Sequence, residues 1–239
     1  MNCYNELKGV TEMNFFYDSS YFLVLIGMAI VMYAQFKVKS TFAKYNELET
    51  QHQIDGKRAA EAILSQANIP TVQVGHIPGH LTDHYDPRNK TLRLSDATFS
   101  ETSVAAVAVA AHECGHAVQD AQGYSFLKLR NMIVPVVQIG SKLAMPLIMF
   151  GLILNMMGLV QIGIILFSLV LVFQLVTLPV EFDASNRALA ILEQNGMFTS
   201  EELPAAKKVL NAAAFTYVAA TLSTALQLLR FIMMSNRRR

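Results

Sequence analysis

Three stretches of this chain, 21–36, 143–154 and 162–178, contain no charged residue. Lipid offers no water to a bare peptide group, so a segment entering a bilayer must close its hydrogen bonds internally, as a helix. The first run, YFLVLIGMAIVMYAQF, is close to the shortest that crosses a hydrocarbon core of about 30 Å. The other two are each short for a full crossing and are separated by Asn155, Met156, Met157 and Gly158. They predict either two spans in a hairpin or a re-entrant pair. Composition agrees, with 15% charged residues against about 25% in ordinary soluble domains.

Glu6, Glu12 and Asp18 precede the first run, and no small-residue cleavage site comes after it. Both features argue for a retained helix over a removable signal peptide. Lys37, Lys39 and Lys44 come directly after. The bias of basic residues toward the cytoplasm therefore places the N-terminal segment 1–20 outside and the residues after 36 inside. A net charge of +1 gives no electrostatic case for a nucleic-acid partner. The two cysteines, Cys3 and Cys114, lie far apart. They exclude a disulfide framework and a cysteine-rich zinc site, and they suit a reducing compartment.

The polar half, 37–131, reads as a mixed domain. KRAAEAIL at 57–64 predicts a helix capped by Asp55. TVQV at 71–74 and TLRL at 91–94 alternate as half-buried strands. A third short strand is expected at 81–85, before the turn residues at 86–89. Thr98 and Glu101 are spaced as a capping box, predicting a helix from there to about Gln122, with Gly123 as its stop. A helix descending to the membrane surface is expected over 126–142. Beyond the hairpin, a helix carrying Glu181 should run to Gly196, and Thr199 with Glu202 should open the last one. Gln227 and Arg230 favour packing of that last helix on the domain or at the interface, and the terminal arginines suit anionic headgroups.

The predicted 98–122 helix contains AAHECGHAVQ, residues 110–119. Helical positions four apart share a face, with β-carbons about 5–6 Å apart. His112 and His116 can therefore direct both imidazoles at one zinc ion. Glu113 stands beside that ion, placed to take a proton from zinc-activated water. Gly115 allows a neighbouring element to come close, and Cys114 is read as a small packing residue. A catalytic zinc takes three protein ligands and keeps one position open. Gln119 and Gln122 occupy the positions where a metzincin needs glycine and histidine. All six histidines lie at or before 116, so a downstream third ligand must be a carboxylate. Glu181 is the best placed, because either form of the hairpin returns it to the side of His112. Asp120 is the weaker competitor, with a second possible role fixing an imidazole tautomer.

The pairing of HECGH with a membrane hairpin and then EFDAS at 181–185 resembles the membrane gluzincins of the HtpX and CAAX-prenyl-protease type. Their downstream helix bears Glu-x-x-x-Asp, whose Glu is the third zinc ligand. More closely, LTDHYDPR (81–88), AAHECGHAVQ (110–119) and PVEFDAS (179–185) are similar to the bacterial YugP-type membrane zinc metallopeptidases. The likeness runs over most of the chain from the first apolar run onward. It implies zinc ligation by His112, His116 and Glu181 and catalysis by Glu113. Ser185 departs from the pattern by standing where Asp is expected, so the usual carboxylate is missing there, and the pattern leaves open whether Asp183 replaces it.

The expectation is a mainly α membrane protein of α+β character. Residues 21–36 form the first transmembrane helix and 37–142 a cytoplasmic, gluzincin-like zinc metallopeptidase domain with a small sheet beside the HExxH helix. Residues 143–178 form the hairpin, and 179–239 complete the domain. The activity expected is zinc-dependent endoproteolysis of protein or peptide substrates, membrane proteins among them, at the cytoplasmic face of the bacterial cell membrane. Two alternatives stand beside it: a zinc-stabilised scaffold without turnover, and a site-2-type intramembrane protease, whose late Leu-Asp-Gly this chain lacks. His76, His80 and His84 are read as surface or turn residues flanking a strand edge that binds substrate backbone. Arg187 and Tyr217 are candidates for polarising the scissile carbonyl, each balanced by a purely structural role.

Overall fold

The computed structural model describes residues 20–237, so the expectations for 1–19, including Cys3, and for the last two arginines lie outside the described residues. Among the described residues, six helices and three strands succeed one another in the order α1 (Tyr21–Asn46), α2 (Gly56–Gln66), β1 (Gln73–Ile77), β2 (His84–Asp86), β3 (Thr91–Ser95), α3 (Val104–Ala121), α4 (Ser125–Ile153), α5 (Met157–Gln194) and α6 (Leu203–Arg237). The sheet has the order β1-β3-β2, with β1 parallel and β2 antiparallel to the central strand. Each strand lies within a few residues of its sequence-based position.

α2 starts as expected, with the Asp55 carboxylate accepting from the Arg58 N–H. α3 does not start at Thr98. Its cap is Ser103, whose hydroxyl accepts from the Ala106 N–H at 3.1 Å, while Thr98 lies buried in the turn after β3. The Glu101 carbonyl there accepts from Gly56 at the head of α2, so those residues tie two elements together instead of opening a helix. The Asn155 turn forms with φ +54°.

Two expected breaks are absent. Residues 126–142 and the apolar run after them form one helix, α4, which continues through Pro135 and Pro146. Likewise the third apolar run and the segment bearing Glu181 form the single 38-residue helix α5, with Pro179 inside it. Each proline removes one i→i−4 hydrogen bond, a loss that packing in a helical bundle tolerates. The hairpin between them is tight because Gly163 leaves no β-carbon in the way. One placed there would sit 2.6 Å from Ile148 Cγ1 and 2.9 Å from the Ala144 carbonyl oxygen.

The main core joins distant parts of the chain. Ala59, Ile63, Leu92, Leu94, Val107 and Cys114 pack with Ala188 and Leu192 of α5 and Leu210 of α6. A second kind of surface covers the long helices. Phe22, Met32 and Phe36 of α1, Met132 and Ile153 of α4, and Ile165 of α5 are all more than 60% exposed. Apolar surface on this scale marks an interaction with lipid or protein.

Among the described residues, four helices (α1, α4, α5 and α6) are long and apolar enough to cross a membrane. α6 joins the three expected apolar helices by length and composition. Its first turns do pack on the domain through Ala205, Ala206 and Leu210, but it continues as the fourth such helix. Arg230, read as a polar interruption, is only 7% exposed. Its guanidinium lies 4.3 Å from the centre of the Tyr21 ring on α1, a cation–π contact that shields the charge within the bundle.

Candidate metal centre

α3 presents His112, Glu113 and His116 toward the segment of α5 that begins at Pro179. Contact between the helices depends on Gly115. A β-carbon there would stand 2.6 Å from the carbonyl oxygen of Ala184. With hydrogen in its place, the backbones meet and Glu181, three residues before Ala184, faces the two imidazoles. His112 Nε2 lies 3.4 Å and His116 Nε2 3.6 Å from Glu181 Oε2. The ligand atoms of all three residues lie within 4.8 Å of one another.

These residues fit a metal ion. Tetrahedral zinc with bonds of about 2.0–2.1 Å separates neighbouring ligand atoms by about 3.3–3.4 Å, close to the two histidine–glutamate spacings of 3.4 and 3.6 Å. Glu181 Oε2 is buried and has no hydrogen-bond partner, a costly state for a carboxylate oxygen unless a cation completes it. Zinc, a borderline ion that takes imidazole and carboxylate together, suits this donor set.

The far side of each ring is engaged. His116 Nδ1 lies 3.0 Å from Gln119 Oε1. The Gln119 amide nitrogen is spent on the Val180 carbonyl and the Asp183 carboxylate, at 2.8 and 2.7 Å. Its oxygen can only accept, so in the neutral ring Nδ1 donates and Nε2 keeps a lone pair facing Glu181. His112 Nδ1 meets the Ser185 hydroxyl at 3.2 Å. Ser185 thus occupies a supporting place beside one imidazole, while Asp183 reaches the other through Gln119. Outer contacts of this type fix the tautomer and orientation of metal-binding histidines.

Burial opposes charge on His116, but the Glu181 and Glu113 carboxylates and the Gln119 oxygen outweigh it, so its pKa lies above the ordinary imidazole value. Cys114 takes no part. Burial, with the Glu113 charge next, pushes its thiol pKa well up, and its sulfur faces the Ala60 carbonyl at 3.8 Å.

The other sequence candidates separate clearly. Asp120 accepts from the Tyr85 hydroxyl at 2.6 Å and from Lys90 at 2.5 Å, which anchors β2 to α3 away from the imidazoles. Arg187 bonds Asp183 and Gln122, both at 2.5 Å, and lies over the Tyr124 ring, so it braces α5 against α3. His76 pairs with Asp96 at 2.6 Å. Tyr217 of α6, by contrast, reaches the centre and lines the cavities on both sides of Glu113 and Glu181. Sequence reasoning missed Gln119, noted only as a departure from another family's pattern. It also missed Arg130 of α4, whose Nη1 lies 3.6 Å from Glu181 Oε1. The i, i+3 spacing of His116 and Gln119 was the available signal for the first; nothing local pointed to the second.

The fold is mainly helical, with four helices long and apolar enough to cross a membrane and a His-His-Glu cluster between α3 and α5 that could hold a metal ion, the features of a membrane metalloprotein. The chain belongs to the zinc peptidase family described as "Putative neutral zinc metallopeptidase", whose model matches residues 20–236. It is similar to the "Putative membrane protease YugP" of Bacillus subtilis (strain 168), with 44% identity over 212 residues, covering 89% of this chain and 94% of that protein. No solved structure matches it.

Proposed function

We propose that this protein is a multi-pass membrane zinc endopeptidase of gluzincin type, with its active site at the cytoplasmic face of the bacterial cell membrane. One observation carries the reading. Two imidazole nitrogens and an unpartnered carboxylate oxygen converge at metal-ligand spacing, with a further carboxylate, Glu113, lining both adjoining cavities. His112, His116 and Glu181 would hold the ion. Bound zinc supplies a Lewis acid that brings the pKa of water to about 7.

Glu113 accepts the proton of the attacking water. As the carbon–oxygen bond forms and the carbon–nitrogen bond breaks, Glu113 delivers that proton to the departing amine. Tyr217 is positioned to donate a hydrogen bond to the carbonyl oxygen as it gains negative charge, the role of an oxyanion-site donor. Lys37, Lys39 and Lys44, which follow the uncharged run within α1, support the cytoplasmic placement. Open space on both sides of Glu113 favours turnover over a closed structural zinc site. The burial of α3 within the fold, and its absence from the four membrane-length helices, favours this reading over an intramembrane protease.

The test is Glu113→Gln in the full-length protein in detergent, assayed on casein or peptides. The variant should retain zinc and lose proteolysis; undiminished cleavage would remove Glu113 from the mechanism.

A further inference from the structure

The two cavities beside Glu113 differ in size and chemistry, and the difference bears on what the proposed peptidase cuts. The smaller, of about 130 Å³, is polar and includes His84, Arg130 and Asn131. The larger, of about 360 Å³, reaches from His112, Glu113 and Glu181 into the space between α1 and α6. From α1 it takes Gln35, Val38, Lys39 and Phe42, whose spacing of three, four and seven residues marks one helix face. From α6 it takes Val209, Ala213 and Tyr217, spaced by four. Val109 of α3 and Leu81 of the loop before β2 add to the apolar part of the wall, and His80, Asp83 and Lys39 are its polar members. The space persists because α6 is narrow at this level, with Ala213 and Ala214 where larger residues would fill it.

We infer that this larger cavity is the specificity site, and that the substrates are polypeptides carrying large apolar side chains on one side of the scissile bond. The inference rests on the peptidase reading and adds the substrate class. A volume of about 360 Å³ lies in the range that receives an extended ligand group, about 300–1,000 Å³. It therefore accepts a bulky apolar side chain together with part of its neighbour. Burying that surface is favourable, whereas a carboxylate or ammonium placed against Val38, Phe42 and Val209 loses hydration, offset only where it reaches Lys39 or Asp83 on the same wall. The cavity's α1 wall starts at Gln35, at the end of the uncharged run.

The test uses the full-length zinc-loaded protein and a set of peptides differing only at residues flanking one cleavable bond. Wild type should favour Phe or Leu over Asp or Lys on one side of that bond by about 10–200-fold in kcat/KM. Ala213→Trp, which fills the cavity from α6, should reverse the preference toward Ala or Gly. Val38→Trp, filling it from α1, should do the same; a merely damaged protein would lose all rates alike. The same peptides are ranked by fluorescence anisotropy on Glu113→Gln, so the cavity is tested separately from turnover. Apolar-selective binding without cleavage by wild type would refute the peptidase and leave the cavity assignment standing. Equal binding of apolar and charged peptides, or an unchanged profile in both tryptophan variants, would overturn the inference.

Discussion

Gly115 of α3 sits against the backbone of Ala184 of α5 so closely that a β-carbon would stand 2.6 Å from the Ala184 carbonyl oxygen. The obstruction is backbone, which cannot rotate aside. Gly115→Ala must push the helices apart, at a cost of about 1–3 kcal/mol for overpacking. Because the same contact brings Glu181 to the imidazoles, zinc affinity should fall together with the thermal midpoint in detergent. An unaltered affinity would mean that the helices are held in register by other contacts.

Gln119 fixes the His116 tautomer and binds the Val180 carbonyl and Asp183 of α5. Gln119→Met keeps the shape and removes all three bonds. Zinc affinity should drop by about 10–100-fold, the usual effect of losing an outer partner of a metal-bound histidine. Zinc titration against a competing chelator measures it.

Tyr217 and Arg187 should behave differently. Tyr217→Phe should lower kcat by about 10²–10³-fold, the range for loss of one oxyanion donor, while zinc content stays at the wild-type value. Arg187→Ala removes the brace to Asp183 and Gln122 and should show mainly as a lower melting temperature. Single-turnover kinetics with metal analysis on the same samples separates the two effects.

Acid should release the metal. Zinc needs the neutral lone pair of each imidazole, and the His116 pKa lies above the ordinary value of about 6.5. Protons therefore compete from a higher pH than they would for a free imidazole, and zinc affinity should fall as pH is lowered through that window. The metal-free protein should respond in the opposite sense at this residue. A raised folded-state pKa contributes stability that is present below the unfolded value and is lost as pH rises through the folded one. Melting curves of both forms between about pH 5 and 8 test this; parallel slopes would contradict it.

Local patterns made much of this protein legible. His112, Glu113 and His116 are set by helical spacing alone, Asp55 caps α2 as its position predicts, and the uncharged runs mark parts of three long helices. What could not be read depends on pairings distant in sequence. The capping signal at Thr98 and Glu101 is overridden because the carbonyls of Phe99 and Glu101 accept from Lys57 and Gly56 at the head of α2, while Thr98 closes the turn after β3 onto Ser95. Arg230 looked like a polar break because its ring partner, Tyr21, lies over 200 positions away. Gln119 and Tyr217 acquire their places only when α5 and α6 fold back across α3.

The convergence of Glu181 with His112 and His116 is most directly tested by the zinc content of purified wild type and Glu181→Ala, read together with affinity. Wild type should bind about one zinc per chain, the expectation for a three-ligand site, and Glu181→Ala should lose tight binding while remaining folded. Retention of full-affinity zinc by Glu181→Ala would contradict the assigned ligand set and the peptidase mechanism built on it.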